Sequence, residues 1–296
     1  MATASRTLAG TRVLSLALNL PGPAALMRLR RMGATCVKLE PPAGDPMGLY
    51  NPAAYAQLHE DVKVLSADLK DAGGQKLLHA ELAQAHVLLT SFRPSALGKL
   101  GLGWKELHTR YPALSQVAIV GEPGERAEAP GHDLTYLAGN ELVPGLELPA
   151  TLYADMSGSL LASEAVLQAV LQQNERYAGT GEPHPRGQFI EVALSDAAAY
   201  LGLPRQWGLT KPSGAVGGAH AGYRVYPCRD GRVAVAALEP HFAAALCAAA
   251  GVAASDIRAM FARSTHEAIA AFMLSRTRGQ LDQLALERDL PLHTMA

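Results

Sequence analysis

The chain has 296 residues, 49% of them apolar, which is enough to bury a sizeable core in one large domain or two modest ones. Lys and Arg number 26 against 27 Asp and Glu, so there is no overall basic field of the kind that draws a protein to nucleic acid or anionic lipid, and any phosphate binding must be local. Cys36, Cys228 and Cys247 lack the spacing of a disulfide frame or zinc site, and no apolar run reaches bilayer length. The expectation is a soluble protein of a reduced, cytoplasmic compartment.

In chain order, residues 11–18 read as a core strand, closed by a turn at Pro21-Gly22-Pro23. The first 31 residues carry five Arg and no acid, the composition of an organelle transit peptide. The strand reading takes precedence over it. A helix over residues 24–32 ends at Gly33, and Cys36-Val37-Lys38-Leu39 is a second strand, so the three elements make a right-handed parallel crossover. The alternation repeats as a helix over 71–85, a strand over 86–90, a helix over 104–111 and a strand over 114–120. That pattern indicates an α/β domain with a parallel sheet. A polar loop over 121–130 follows, then a long Ala- and Leu-rich helix over 155–177 that stops at Gly179-Thr180-Gly181. A strand over 188–194 leads into a helix from Ser195, and residues 208–222 have linker composition. Two strands, 223–228 and 232–237, flank Arg229-Asp230-Gly231 as a hairpin. The expected domains are 1–210, a large α/β domain with the long helix, and 211–296, a smaller α+β domain.

Chemistry-bearing motifs are few. There is no Walker loop, HExxH, GxSxG or dinucleotide GxGxxG after the first strand, and no metal site is expected. Three titratable residues lie among small or apolar neighbours, where burial moves a pKa toward neutrality: His132, Asp155 and Glu239. Each also has a plain structural reading. His132 with Asp133 can cap the following helix, Asp155 can cap its own, and Glu239 before Pro240 can be a solvated turn carboxylate.

A set of segments carries a resemblance. Arg12-Val13-Leu14-Ser15-Leu16, Pro21-Gly22-Pro23, the run from Leu29 to Pro42, Asp68-Leu69-Lys70, Phe92 to Leu102, and Gly187 to Leu194 stand in the order found in family III CoA-transferases. Gly131-His132-Asp133-Leu134-Thr135-Tyr136 and Leu238-Glu239-Pro240 resemble the α-methylacyl-CoA racemase-like branch of that CaiB/BaiF superfamily. The chain departs from the pattern at Pro41, where many relatives have Arg, at residues 59–63, in a shortened segment between Leu142 and Leu152, and in ending before the usual C-terminal return segment.

The resemblance implies a Rossmann-like parallel sheet in the large domain and an interlocked homodimer. It implies an acyl-CoA thioester as substrate, with coenzyme A entering as part of that substrate and no other cofactor. His132 and Asp155 become two bases that invert the α-carbon of a 2-methylacyl-CoA-like thioester in fatty acid metabolism. Glu239 orients His132, and Lys70, Arg93 and Lys99 meet the nucleotide. Backbone N–H groups at the start of the Asp155 helix are the expected donors to the enolate oxygen. Two alternatives stay open: CoA transfer between carboxylic acids through a covalent intermediate on Asp155, and a non-catalytic acyl-CoA-binding protein.

Overall fold

The computed structural model describes residues 6–179, 186–253 and 257–296. The chain divides into two compact units, Met1–Gly202 and Leu203–Ala296.

The first unit is built on strands β1 (Arg12–Ser15), β2 (Thr35–Glu40), β3 (Lys63–Ser66), β4 (Val87–Thr90), β5 (Ser115–Val120) and β6 (Phe189–Ala193). They form one sheet of order β3-β2-β1-β4-β5-β6, with parallel pairing throughout. The helices are α1 (Pro21–Arg31), α2 (Pro46–Tyr50), α3 (Pro52–Leu58), α4 (Ala72–Leu82), α5 (Pro94–Lys99), α6 (Trp104–Arg110), α7 (Asp133–Gly139), α8 (Tyr153–Gly179) and α9 (Leu194–Gln206), the last of which runs past the unit's end at Gly202. Strands β4 and β5 are buried at every position, as expected of a parallel sheet covered on both faces. Alternation within β1 sorts the side chains into two layers. Val13 joins Val87, Leu89 and Val117 in a core with Leu26 and Leu29 of α1 and Ala162, Val166 and Ala169 of α8. Leu14 joins Val37, Leu39 and Leu88 in the opposite core, under Leu78 and Leu82 of α4 and Leu97 and Leu107 of α5 and α6.

The strand order reverses direction between β1 and β4, so the loops leaving those two strands diverge and open a crevice at the carboxyl end of the sheet. This is the Rossmann-like arrangement implied by the resemblance.

Several local expectations change. Pro21-Gly22-Pro23 is the first turn of α1 and not a turn before it, because Pro is pre-organised for the first helical positions, where its missing N–H costs nothing. Gly22 is required there, since a Cβ would lie 2.1 Å from Ala17 Cβ. The long helix begins at Tyr153 and runs to Gly179, and the rest of the expected stop, Thr180 and Gly181, lies outside the described residues. Strand β3 and helices α2, α3 and α5 lack a clear apolar period: β3 is an exposed edge, and the helices are five to seven residues long.

The second unit holds β7 (Tyr223–Cys228), β8 (Gly231–Ala236) and β9 (Leu292–Met295) in one antiparallel sheet, with helices α10 (Pro240–Ala249), α11 (Arg263–Leu274) and α12 (Arg278–Arg288). The hairpin is as expected, except that Gly231 opens β8 and pairs with Cys228, leaving a two-residue turn. A side chain at Gly231 would strike Met295 O at 2.3 Å, which accounts for glycine beside β9.

Candidate active site

A cleft of about 600 Å³ opens at the carboxyl end of the first unit's sheet. The β1–α1 turn contributes Leu18, Asn19 and Leu20, helix α2 contributes Met47 and Tyr50, and the β4–α5 loop contributes Ser91, Phe92 and Arg93. Beyond β5 lie Gly121, Gly131, His132 and Tyr136, and Asp155 comes from the first turn of α8. Two of the three residues singled out as acid or base groups, 23 positions apart in the chain, therefore line one cavity.

His132 is the extended residue that starts α7 (φ −145°). Its backbone is tied down by Thr135: the His132 N–H donates to Thr135 Oγ1 at 3.0 Å, and the Thr135 hydroxyl donates to His132 O at 2.7 Å. The cap is thus closed through a threonine hydroxyl, and the exposed imidazole is available to the cleft. Gly131 precedes it because the Tyr136 ring covers that position; a Cβ there would sit 2.6 Å from the ring.

Asp155 is not the cap of its own helix. That role falls to Asp133, which is buried and whose Oδ1 accepts the Asp155 N–H at 3.0 Å. Burial, then the Asp133 charge, pushes the Asp155 carboxyl up to about 6, with His132 pulling in the other direction. A carboxyl poised there exchanges protons near neutral pH, which is the requirement for acid/base work and for a carboxylate that is populated yet nucleophilic.

The expected backbone donors at the start of α8 are mostly engaged within the protein. The Tyr153 N–H donates to Thr151 O, the Asp155 N–H to Asp133, and the Met156 N–H to Leu152 O. The cleft offers the Asn19 side-chain amide in their place. Tyr50 OH donates to Asn19 Oδ1 at 3.4 Å, and the Asn19 amide group faces the same cavity. Neither residue was marked by the sequence: Tyr50 sits in a five-residue helix without periodicity and Asn19 in a turn, and neither setting signals which side chain is presented.

The cations expected at the nucleotide end are more scattered. Arg93, exposed at the start of α5, lines the cleft. Lys99 in the last turn of α5 and Lys70 after β3 are exposed and do not line it. Glu128 accepts hydrogen bonds from the Ser95 N–H and hydroxyl, which hold its carboxyl below the usual range, with Arg93 and Lys99 adding to the effect. The anion partly offsets the cations beside it. The start of α1 is also poor in donors for a diphosphate, since Pro21 and Pro23 have no N–H.

Glu239 belongs to the second unit, where it is exposed and starts α10 without a side-chain cap bond. As for metals, Glu40, Asp45 and His59 bring ligand atoms within 4.8 Å of one another, but Lys38 Nζ contacts all three, so an ammonium already takes the cation's place. No helix among the described residues is long and apolar enough to cross a membrane.

Comparison with known proteins matches this arrangement to a family. The alpha-methylacyl-CoA racemase of Mus musculus is 29% identical over 268 residues, covering 84% of this chain and 66% of the relative. The cinnamoyl-CoA:phenyllactate CoA-transferase of Clostridium sporogenes is 35% identical over 139 residues, 43% of this chain and 34% of the relative. The chain thus spans between about a third and two thirds of the length of such curated relatives. A crystal structure of a CAIB/BAIF family protein from Brucella suis superposes over 99% of this chain and 85% of its own, with a TM-score of 0.80 at 22% identity. Residues 8–295 match the family model described as CoA-transferase family III, and the chain belongs to that family.

Proposed function

We propose that the protein is an acyl-CoA-processing enzyme that inverts the configuration at the α-carbon of a 2-methylacyl-CoA-like thioester. The observation that carries this reading is the shared cleft of His132 and Asp155, with the Asp155 carboxyl raised to about 6. A thioester acidifies its α-hydrogen, and inversion needs one group to remove that proton from one face while another delivers a proton to the opposite face. Neutral His132 takes the proton and protonated Asp155 returns one, with the roles exchanged for the other enantiomer. In this reading Glu239 orients the imidazole, Arg93, Lys70 and Lys99 meet the nucleotide, and the working form is a homodimer.

A second reading rests on the same carboxyl. As a carboxylate, Asp155 attacks a donor thioester to give a mixed anhydride and release CoA thiolate, which then yields an aspartyl-CoA thioester and the free donor acid. CoA-transferases stand among the relatives beside the racemase. The presence of an imidazole in the cleft favours inversion, because transfer through Asp155 does not use it.

Incubation with a 2-methylacyl-CoA of one configuration in D₂O separates the readings. Inversion predicts deuterium at the α-carbon without exchange of the acyl group. Acyl exchange with a free carboxylate, together with a hydroxylamine-trapped adduct on Asp155, selects transfer instead. Binding with neither reaction leaves a non-catalytic acyl-CoA-binding protein and ends both proposals. The His132→Ala protein should lose α-exchange by about 10²-fold or more, the scale of one positioned acid/base group.

A further inference from the structure

Lys38 lies in β2 with a side chain wholly removed from solvent. Its ammonium pairs with the Asp45 carboxylate, stands 3.0 Å from Glu40 Oε1, and lies 2.8 Å from His59 Nε2. His59 Nδ1–H donates to Tyr55 O at 2.7 Å, so Nε2 is the acceptor for the ammonium and the ring is neutral, in keeping with the downward push of burial on its pKa. One cation therefore faces two carboxylates. The remaining demand is met by the N–H groups of Asn19, Asp45 and Met47 and by the Tyr55 hydroxyl, which donates to Glu40 Oε1 at 2.9 Å.

A buried ion cluster seldom adds stability beyond what apolar packing would supply, so its worth is better sought in the geometry it holds. Both oxygens of Asp45 accept the Asn19 N–H at 3.1 Å. Asn19 has φ 64°, a left-handed conformation that few residues other than Gly, Asn and Asp adopt readily, and the Asp45 contact fixes it there. The neighbouring Leu18 N–H donates to Ser91 Oγ at 3.2 Å, so the β1–α1 turn is held from two sides. Asp45 Oδ1 also accepts the Met47 N–H at 2.9 Å and so caps α2, the helix that carries Met47 and Tyr50 into the cleft. Lys38 and Asp45 themselves do not line the cleft.

We propose that Lys38 and Asp45 are positioning residues for thioester binding: the buried ammonium holds the Asp45 carboxylate, and that carboxylate holds the left-handed Asn19 peptide and the start of α2 in their places on the cleft wall. The inference rests on the acyl-CoA reading of that cleft. It predicts a loss in binding rather than in proton transfer, since neither residue touches His132 or Asp155.

The test compares the full chain with its Lys38→Met and Asp45→Asn variants, using 2-methylpropanoyl-CoA as the probe in calorimetric titration. Hydrogen exchange by mass spectrometry is followed over residues 16–21 and, as a control, 115–120. Asp45→Asn keeps volume and removes a negative charge, so it decides the matter if Lys38→Met does not fold. The expected result is a Kd raised about tenfold, exchange accelerated at residues 18–20 and unchanged at 115–120, and, with a chiral 2-methylacyl-CoA, a raised KM with kcat within about threefold. A folded variant with wild-type Kd and wild-type exchange at Asn19 overturns the proposal. If the unaltered chain binds no 2-methylpropanoyl-CoA, the reading of the cleft fails, while the exchange at residues 18–20 still decides whether the clamp exists.

Discussion

The backbone N–H of Asp155 donates to the carboxylate of Asp133 at 3.0 Å, which joins the first turns of α7 and α8 and sets two acids side by side beneath His132. One acid is consumed as a cap. The other is raised by burial and by its neighbour's charge, so a structural bond and the tuning of a carboxyl in the cleft share one contact.

That tuning has a cost in stability with a definite sign. A carboxyl whose pKa is higher in the folded chain than in the unfolded one binds its proton more tightly when folded. Its contribution is therefore most favourable below the unfolded value of 3.8 and is lost as pH rises through about 6. Asp155→Asn should raise the melting temperature of the first unit at pH 7.5 by about 2–4 °C, the shift that roughly 1 kcal/mol produces in a domain of about 200 residues. The difference should shrink as pH falls from 6 toward 4. Scanning calorimetry across that range is the check, and a gap that widens toward acid would contradict the raised pKa.

Asp133→Asn keeps an oxygen for the Asp155 N–H and removes the neighbouring charge. The Asp155 pKa should then move down, and the acid limb of the activity profile with it. Measurement of kcat/KM against pH for α-exchange reads the shift, since that ratio reports the groups of the free enzyme. An unmoved limb would mean that burial alone sets the pKa.

Gly22→Ala places a Cβ 2.1 Å from Ala17 Cβ, between the end of β1 and the first turn of α1. Both positions are buried, so the clash must be relieved by backbone movement, at a cost of about 1–3 kcal/mol. Denaturant titration should show that loss. Binding of an acyl-CoA should weaken too, because Leu18, Asn19 and Leu20 lie between the two positions.

Replacing Lys38 by Ala leaves Glu40, Asp45 and His59 around an empty centre, with ligand atoms within 4.8 Å of one another. One imidazole and two carboxylates are a zinc-compatible set. Zinc should therefore raise the melting temperature of the Lys38→Ala protein and leave that of the unaltered chain in place, by mass action on the folded state alone. Equal shifts in both would locate the zinc elsewhere.

The alternation of apolar runs with helical segments made the parallel α/β unit readable, because β1, β2, β4 and β5 are covered on both faces and so appear as continuous apolar stretches. Strand β3 escaped for the converse reason: Lys63-Val64-Leu65-Ser66 lies at the sheet edge and is mostly exposed. Strand β9 is four residues long and pairs with β8 from about 60 positions away, a relation no local pattern records. His132 and Asp155 could be singled out because each stands among small neighbours in a recognisable segment. Asp133 was noticed only as a possible cap for α7, and Lys38 only as one residue of an apolar strand.

The amino-acid order by itself determined which segments are apolar on one face or on both, where prolines and glycines interrupt them, and which ionisable residues stand in apolar surroundings. Those properties act over a few residues, so they survive in a linear reading. Only the tertiary structure decided that Asp133 caps the helix of Asp155, that the N–H groups at that helix start are mostly engaged, and that Lys38 fills a cation site. Asp133 reaches Asp155 from 22 positions away and His59 reaches Lys38 from 21, and distances of about 3 Å between such groups are set by the packing of strands and helices together.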